Sequence, residues 1–391
     1  MPKIDFKMRS FIFNKTFHYI DNYFVFKENH KLDIDSLYFE FADRLLTSSD
    51  WYKFGLLMKE LISKLKNSHS NYWDGWFNKY HAQPLGFYAG YHDIERKWII
   101  LFTNNKKINV GDIITKVNGV STYTFFKKNC RYLSASNERA SKNKLFSDLW
   151  LFPNKFDIVV NNKTTVKINR KTLSHAPNSK TIIKIIEPNV AYIKVPNFWD
   201  STCVRIASKY VKKFNNYKKI ILDLRGNEGG KTPLGLMSLL MNKRYKRLNY
   251  DTLTQKTATE LIENITDNKM IKLKHHISKY RKPSNTAFNN KLIILVNEHT
   301  GSAAEDFVFS FKENKRATIL GNITHGSIGD PYLHVFTGDV NRGVSIGAVL
   351  TYNDMSQIIE GTGIKPDKII IPSVQDLKFN RDIVFDAALK E

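Results

Sequence analysis

The sequence predicts a multi-domain α/β protein, and three observations lead to that prediction. Apolar residues recur every three or four positions between Phe17 and Leu65, which is typical of an N-terminal helical bundle. A mixed segment with short strand and turn signals follows the bundle. From Val190 onward, apolar strands alternate with amphipathic helices, and this alternation implies a core with a largely parallel sheet. The expected domains are residues 1–75, 76–175 and 176–391.

The N-terminal helices carry their own boundary signals. Residues 37–46 and 51–65 each place apolar side chains at intervals of three and four. Ser48-Ser49-Asp50 precedes the second stretch, and side chains of these types accept hydrogen bonds from the free N–H groups of a first helical turn. We expect the bundle to lead into Ser68-His69, at the end of its last helix.

The middle segment combines loop, strand and helix signals. Pro84-Leu85-Gly86-Phe87 and Val110-Gly111-Asp112 mark loops, residues 123–133 have helical spacing, and residues 156–168 indicate two strands around an Asn161-Asn162 turn. These features resemble a PDZ-type module, which captures a peptide by strand addition and holds its terminal carboxylate in the first loop. Because Pro84 replaces the usual first glycine, the alternative is a module that only spaces its neighbours.

The C-terminal part is expected to contain alternating strands and helices. The predicted strands are residues 190–195, 219–224 and 292–296, and the predicted helices are residues 201–214, 233–241 and 307–312. Ligand sites form at the carboxyl ends of parallel strands, so functional residues are expected just past the second and third strands. A basic insertion at about 245–289 separates the two halves, and the sequence leaves open whether it is a lid or a docking surface.

The segment NEHTGSAAED, residues 297–306, lies between a predicted strand and a predicted helix. A serine at such a turn presents its hydroxyl at a helix N-terminus, where free N–H groups and the helix dipole favour developing negative charge. An acyl-transfer nucleophile needs that environment, so Ser302 is the candidate nucleophile. The alternative is that Ser302 only caps the helix. Glu305 and Asp306 are expected to complement the dipole of its first turn.

Ordered motifs in the C-terminal part resemble the protease core of the tail-specific (C-terminal-processing) and tricorn-type serine peptidases. The matching segments, in chain order, are DLRGNEGG, LVNEHTGSAAED, ILGNITHGSIG and EGTGIKPD. Several motifs in the same order are far more specific than one, and the resemblance extends over about residues 180–372. It implies a serine-type peptidase, a hydrolase that acts on peptides or protein tails without a metal or another cofactor.

The chain departs from the tail-specific branch at one position. That branch carries a lysine base in a Gly-x-x-Thr-x-Gly-Lys segment, and here Ser327 stands where the lysine should be. Because a serine cannot act as the base, the resemblance favours the tricorn-like branch, which uses a histidine. Its histidine is matched by His69, after Ser68, and its glutamate by Glu360. Asn67 replaces the aspartate that is common in the histidine pattern.

The resemblance also implies roles for these residues. Ser302 attacks the scissile carbonyl, and neutral His69 accepts the proton of its hydroxyl. Glu360, directly or through the Ser68 hydroxyl, holds the imidazole tautomer and stabilises the imidazolium. The oxyanion hole is expected to consist of the N–H groups of Ala303, Gly229 and Gly230.

Alternatives stay open for the base and for the function. His325 is the alternative base because it flanks the missing lysine, and His299 is a third candidate because it is close to Ser302 in sequence. A second function is that of a catalytically inactive relative that binds peptides or small apolar ligands in the same cleft. A third is that of a basic scaffold that binds an anionic polymer.

The composition limits the partners and the compartment. The formal charge is +23, from 60 Lys and Arg against 37 Asp and Glu, so attraction to anionic surfaces is expected. No nucleic-acid-binding motif is present, so no specific nucleic-acid partner is expected. Cys130 and Cys203 provide neither a disulfide framework nor a zinc pair. Without an apolar segment after Met1, the chain is expected to be cytoplasmic, or exported if a signal peptide has been removed.

Overall fold

The computed structural model describes residues 3–81, 83–170, 180–256, 271–336 and 341–391. The chain divides into two compact units. The first unit contains Met1–Ala176, Tyr250–His276 and Gly329–Leu350, and the second contains Pro177–Asn249, Ile277–Ile328 and Thr351–Glu391. The predicted domain boundary at residue 175 lies outside the described residues, and the division into three domains stays a prediction.

The helices and strands of the described residues are numbered here in chain order. The α-helices are α1 Phe6–Tyr23, α2 Ile34–Thr47, α3 Trp51–Ser63, α4 Gly75–His81, α5 Thr122–Asn129, α6 Glu138–Lys144, α7 Ser201–Lys213, α8 Leu234–Leu240, α9 Ala303–Glu313, α10 Val374–Lys378 and α11 Ile383–Lys390. Short 3₁₀ helices span Cys130–Tyr132 and Leu149–Leu151. The strands are β1 Asn71–Asp74, β2 Phe87–His92, β3 Lys97–Thr103, β4 Ile113–Val117, β5 Val120–Ser121, β6 Lys155–Val160, β7 Thr164–Asn169, β8 Ile182–Glu187, β9 Val190–Lys194, β10 Lys219–Asp223, β11 Asn249–Gln255, β12 Ile271–His276, β13 Lys291–Val296, β14 Thr318–Gly321, β15 Pro331–Val335, β16 Arg342–Gly347, β17 Leu350–Tyr352 and β18 Lys368–Ile369.

Aspartate caps define the N-terminal helices of the first unit. Asp5 caps α1, so this helix begins well before Phe17 and the predicted start is wrong. The side chain of Asp50 accepts a hydrogen bond of 2.9 Å from the N–H of Lys53, which confirms the predicted cap of α3. Each carboxylate satisfies N–H groups that have no partner inside the helix. The turn after α3 carries Ser68-His69, as expected.

The first unit also contains an antiparallel sheet in the order β2-β3-β4-β6-β7, with β5 beside β4. Alternate side chains of β6 and β7 are buried, because successive residues of a strand point to opposite faces. These strands join through Asn161 and Asn162, whose φ angles of 53° and 57° suit a tight hairpin, and the predicted turn is confirmed. A second sheet of this unit has the order β1-β16-β15.

The second unit is built on a six-stranded sheet in the order β18-β14-β13-β10-β9-β8. All of its pairings are parallel except that of β8 with β9. Its central strands are buried on both faces. Ile220 and Leu222 of β10 pack in the cluster that includes residues of α7, α8 and α9, whereas Ile221 packs in the cluster that includes residues of α11. These strands are therefore apolar throughout, which makes them recognisable in the sequence.

The carboxyl ends of β10 and β13 lie side by side in this sheet. The two strands pair in parallel from Lys219 opposite Lys291 to Asp223 opposite Leu295. A glycine-rich turn follows β10 and the serine-containing turn follows β13. The fold of the second unit therefore brings the two predicted motifs to the same edge of one sheet.

The basic insertion predicted at about 245–289 contains an antiparallel strand pair. β11 and β12 pair from Tyr250 opposite His276 to Gln255 opposite Ile271. Residues 257–270 lie outside the described part of the chain, so the choice between a lid and a docking surface stays open. In the described ranges, no helix is both long and apolar enough to cross a membrane.

Candidate active site

The turns after β10 and β13 are joined by hydrogen bonds. The N–H of Gly301 donates to the carbonyl oxygen of Asn227 at 3.0 Å, and the N–H of Gly226 donates to Asn297 Oδ1 at 2.9 Å. The Thr300 hydroxyl also donates to a carbonyl oxygen at the end of β10, at 2.9 Å. Because donors from each turn meet acceptors of the other, the two turns form one rigid edge of the second unit.

Ser302 has a backbone conformation that residues other than glycine rarely adopt. Its φ and ψ angles are 53° and −125°, and it directly precedes the first residue of α9. Such a conformation costs about 1–3 kcal/mol and is concentrated at functional sites. A serine on a strained strand-to-helix turn is the arrangement that exposes a nucleophile at the edge of a sheet. The backbone of Ser302 is therefore compatible with the predicted nucleophile, and its capping box is present as well.

The three predicted oxyanion donors differ in their hydrogen bonding. The N–H of Gly229 donates to Asn227 Oδ1 at 2.9 Å, so it already has an acceptor. The N–H groups of Ala303 and Gly230 meet no acceptor among the described residues. Gly229 has φ 101°, and a Cβ there would lie 2.7 Å from the Cβ of Ser302. Close approach of this glycine keeps the turn against Ser302, while Ala303 and Gly230 have N–H groups open for an oxyanion.

Glu305 has more partners than the capping role expected from the sequence. Its side chain is fully buried, and one carboxylate oxygen accepts a hydrogen bond of 3.1 Å from the N–H of Ser302. That bond is half of a capping box. The same carboxylate also accepts bonds from Thr324, Gly326 and Ser327. The sequence signal for it was the Ser-x-x-Glu spacing, which indicates the cap but not the other contacts.

Glu360 is hydrogen-bonded to the segment that contains the missing lysine position. Its side chain is 8% exposed, and Oε2 accepts a hydrogen bond of 2.8 Å from the N–H of Ile328. The next residue, Gly361, donates its N–H to the carbonyl oxygen of Gly326 at 2.9 Å. Ser302 N–H in turn donates to the Ser327 carbonyl at 2.7 Å. The second unit thus attaches Ser302 and Glu360 to one short segment, residues 326–328.

Ser68 and His69 lie in the first unit, on a turn held by hydrogen bonds. The Ser68 hydroxyl oxygen accepts bonds of 3.0 Å from both the N–H and the hydroxyl of Ser136. Asn67 Oδ1 accepts bonds from the N–H of His69 at 3.1 Å and from the Ser70 hydroxyl at 3.0 Å. An amide oxygen therefore supplies the acceptor that an aspartate would supply, so the departure at Asn67 leaves the turn intact. Asn67 is a positioning residue that the sequence identified only as a mismatch.

The His69 ring is half-buried, and its surroundings oppose protonation. Burial, and secondly the positive charge of Lys144, lower the pKa of His69 to about 4. The Lys144 ammonium group is held next to this turn by a hydrogen bond of 3.4 Å to the carbonyl oxygen of Ser68. A neutral imidazole is the form that can accept a proton, and these contacts keep His69 in that form.

The alternative bases lie near Ser302 in the second unit. The N–H of His325 donates to the carbonyl oxygen of Thr300 at 2.9 Å, and its Cβ would lie 3.5 Å from a Cβ built at Gly301. His299 is buried, and its Nε2 lies 3.7 Å from Glu298 Oε1. Because His325 lies next to residues 300 and 301, it remains the alternative base. In the described part of the chain, no group of three His, Cys, Asp or Glu side chains is placed to hold a metal ion.

In the first unit, α6 covers the outer edge of β2, the side that pairs with no other strand of the described residues. β2 lies at the end of its sheet and follows the predicted carboxylate-binding loop. The N–H of Tyr91 on this strand donates to Asn143 Oδ1 at 2.8 Å, and the Trp98 indole N–H donates to the carbonyl oxygen of Lys142 at 2.8 Å. A peptide added as a strand to β2 would have to displace Asn143. The expectation of peptide capture thus depends on movement of α6.

Asn143→Ala is expected to loosen this edge. The change leaves the buried N–H of Tyr91 without its acceptor, which costs about 1–3 kcal/mol in the free energy of unfolding. Urea unfolding measures the loss, and amide hydrogen exchange should be faster at Tyr91. Asn129→Ala, which removes a side-chain bond to the carbonyl oxygen of Phe125, is the matched control and should leave exchange at Tyr91 unchanged. Equal exchange in the two variants would mean that Asn143 does not hold the edge.

Comparisons with known proteins bear on this arrangement. Residues 189–370 match Peptidase family S41. A "Probable CtpA-like serine protease" of Staphylococcus haemolyticus is 28% identical over 231 residues, which cover 55% of this chain and 42% of that protein. The protein of the same name from Staphylococcus aureus is 28% identical over 220 residues, which cover 54% of this chain and 39% of that protein. The chain thus spans only about two fifths of the relatives' length.

The fold is similar to those of solved proteases. Mature CPAF has a TM-score of 0.74 at 13% identity, over 98% of this chain and 95% of that chain. The photosystem II D1 C-terminal processing protease has a TM-score of 0.58 at 14% identity, over 96% of this chain and 95% of that chain. The tricorn protease has a TM-score of 0.51 at 14% identity, over 97% of this chain and 36% of that chain. The predicted multi-domain α/β fold is thereby confirmed.

Proposed function

We propose that this chain, whose residues 189–370 match Peptidase family S41, hydrolyses peptide bonds with Ser302 as its nucleophile. The observation that carries the proposal is the backbone of Ser302, with φ 53° and ψ −125° at the start of α9. Gly229 packs against Ser302, and the N–H groups of Ala303 and Gly230 are open for an oxyanion. Nothing in the comparisons supports the alternative of a catalytically inactive relative.

The proposed reaction follows the roles that the sequence resemblance implies. The Ser302 hydroxyl oxygen bonds to the carbonyl carbon while His69 takes its proton. His69 then gives that proton to the leaving amine, and water hydrolyses the resulting acyl-enzyme by the same steps in reverse. Glu360 orients the histidine, directly or through the Ser68 hydroxyl. The negative charge on the carbonyl oxygen is stabilised by N–H groups that are already in place.

The proposed substrates are peptides or protein tails. The names of the relatives support a protease. Because this chain spans only part of their length, its substrate range is a proposal. We propose that the sheet of the first unit is a PDZ-like module, because a helix, α5, and a six-strand arrangement follow the predicted loop. Its closed β2 edge favours a spacing role over peptide capture. The net charge of +23 is expected to strengthen contact with anionic surfaces at low salt.

Labelling with a fluorophosphonate probe tests the proposed function. The probe bonds to an activated serine, so intact mass should increase by one adduct and peptide mapping should place it on Ser302. Incubation with a mixture of unstructured peptides, followed by mass spectrometry, should show new termini that the probe suppresses. A chain that neither takes up the probe nor produces new termini would instead support the binding relative.

The pH dependence of hydrolysis tests the base. Since the pKa of His69 is lowered to about 4, its imidazole is neutral at every pH above that value. We expect kcat/KM to rise with pH through one ionisation near pH 4 and to be level around neutrality. The free energy of unfolding depends on pH in the same direction. Below pH 6.5, the ordinary pKa of a histidine, the unfolded chain binds a proton at His69, whereas the folded chain binds it only at about pH 4. The free energy of unfolding therefore falls as the pH falls through this window.

Two lysine variants of α6 test whether the charge of Lys144 lowers the pKa of the titrating group. Lys144→Met removes the repelling charge and should move the ionisation upward, toward that of an ordinary histidine. Lys142→Met lies on the same helix and should leave the ionisation in place. Initial rates with a fluorogenic peptide across the acidic and neutral range measure both. A profile that is identical in Lys144→Met and wild type would argue against His69 as the titrating group.

A further inference from the structure

Glu305 is a buried carboxylate that the proposed reaction leaves without a role. It is 0% exposed and lies in the first turn of α9. Its Oε1 accepts hydrogen bonds from the Thr324 hydroxyl at 2.5 Å and from the Gly326 N–H at 2.7 Å. Its Oε2 accepts bonds from the Ser327 N–H at 2.9 Å and from the Ser302 N–H at 3.1 Å. One side chain thus meets four donors that belong to two separate segments.

The backbone N–H groups among these contacts favour the ionised form of Glu305. A carboxylate accepts at about four positions on its two oxygens, and here all four partners are donors. A proton on Oε2 would face two backbone N–H groups, whereas the Thr324 hydroxyl can turn to accept a proton on Oε1. Burial raises the pKa of Glu305 above its ordinary value, and the hydrogen bonds offset that rise only in part. A buried charge of this kind is tolerated only where hydrogen bonds replace the lost water.

The donors connect the nucleophile to the loop that carries Glu360. Ser302 is on the turn after β13, and Thr324 and Gly326 are on the segment after β14. The Thr324 hydroxyl oxygen also accepts a hydrogen bond of 2.7 Å from the N–H of Ile364, three residues after Gly361. Gly326 accepts the N–H of Gly361 at 2.9 Å. The carboxylate therefore lies at the junction of three segments, two of which carry proposed reactive groups.

We propose that Glu305 is a positioning residue, whose carboxylate holds the Ser302 turn in register with residues 324–327 and, through them, with the loop of Glu360. It acts through the N–H groups of Ser302, Gly326 and Ser327 and through the Thr324 hydroxyl, and it takes no part in bond formation itself. The inference rests on the proposed function, because it takes Ser302 as the nucleophile. It goes beyond the dipole-complementing role that the sequence predicts for Glu305.

Glutamine cannot replace this carboxylate, although it has the same size. Its amide has one accepting oxygen and one donating NH₂ group, so at least one of the three backbone N–H groups would face another donor, since only the Thr324 hydroxyl can turn to accept. The Ser302 turn or the 324–327 segment must then move. A displacement on the order of 1 Å at a nucleophile costs about a hundredfold in rate. Glu305→Gln should therefore slow the reaction of Ser302 by about a hundredfold.

The time course of fluorophosphonate labelling, followed by intact mass, separates positioning from folding. A positioning role predicts that every Glu305→Gln molecule is labelled in the end, but with a rate constant about a hundredfold lower. With a peptide substrate, kcat should fall and KM should stay nearly constant. Val308→Ala removes buried side-chain volume from the same helix and should be labelled at the wild-type rate. Glu305→Asp keeps the charge and should recover part of the loss.

Two labelling results would overturn the inference. One is a Glu305→Gln rate equal to that of wild type. The other is a fraction of molecules that never react while the rest react at the wild-type rate, since that is loss of folded protein alone. If wild type itself takes no label, the proposed function has failed, and amide exchange then decides the inference. Faster exchange at Gly326 and Ser327 in Glu305→Gln would preserve the positioning role, and unchanged exchange would remove it.

Discussion

Ser302→Ala should lower kcat/KM by about a millionfold and abolish fluorophosphonate labelling, because the nucleophile and its partners act as a unit. The reason lies in the turn after β13, where the backbone of Ser302 takes φ 53° and ψ −125° and begins α9. The other hydroxyl of that turn, on Thr300, donates to the carbonyl oxygen of Leu224 at 2.9 Å. Initial rates with a fluorogenic peptide and intact mass after probe treatment give the two measurements.

Two further variants make the Ser302 result specific. Ser310→Ala removes another hydroxyl of α9, one that is buried and donates to the Asp306 carbonyl at 2.9 Å, and should keep wild-type activity. Ser302→Gly should be at least as stable as Ser302→Ala, because glycine adopts a positive φ without the strain of a Cβ. Full labelling of Ser302→Ala would mean that another residue reacts with the probe and would end the case for Ser302.

His69→Ala should lower kcat/KM by at least about ten-thousandfold, and His325→Ala by less than about tenfold. The proposal assigns the proton transfer to His69, whose imidazole is kept neutral by burial and by Lys144. His325 is in the same unit as Ser302, and its backbone N–H donates to the Thr300 carbonyl at 2.9 Å. The two histidines therefore make opposite predictions for one labelling experiment.

The labelling rate of each histidine variant decides between them. Loss of labelling in His69→Ala and retention in His325→Ala would support His69 as the base. The reverse pattern would keep Ser302 and place the base on the segment that lacks the family's lysine. His299→Ala is the control for a buried histidine near Ser302, and a wild-type rate is expected for it. Circular dichroism of all three variants shows whether each one is folded.

Local signals in the sequence located the central strands and helices of the second unit and, in the first unit, α2, α3, α5 and the hairpin of β6 and β7. The strands of the second unit were recognisable because β10 and β13 are buried on both faces and consist of unbroken apolar runs. Asp50 before α3 and Asn161-Asn162 between β6 and β7 act on their own neighbours, so composition reveals them. The start of α1 was missed, although Asp5 accepts the N–H of Met8 in the same way as Asp50 accepts the N–H of Lys53.

Long-range contacts were not accessible in the same way. Asn143 looks like an ordinary polar residue of a short helix, yet it holds the edge of β2, which lies 52 positions earlier in the chain at Tyr91. Asn67 looked like a mismatch to the family pattern, yet its amide oxygen accepts the bonds that shape the His69 turn. The structural role of each of these side chains depends on which N–H or O–H group donates to it. The residue type alone does not specify that donor.

The sequence by itself determined the alternation of the central strands and helices of the second unit, the family resemblance, and the candidates Ser302, His69 and Glu360. Periodicity and turn composition are local properties, and the motifs lie on contiguous segments, so no folded structure is needed to find them. Only the tertiary structure decided that Glu305, besides capping α9, is a buried carboxylate with four donors. Its partners at residues 302, 324, 326 and 327 meet because β13 and β14 pair in parallel, and burial then requires each donor to find an acceptor.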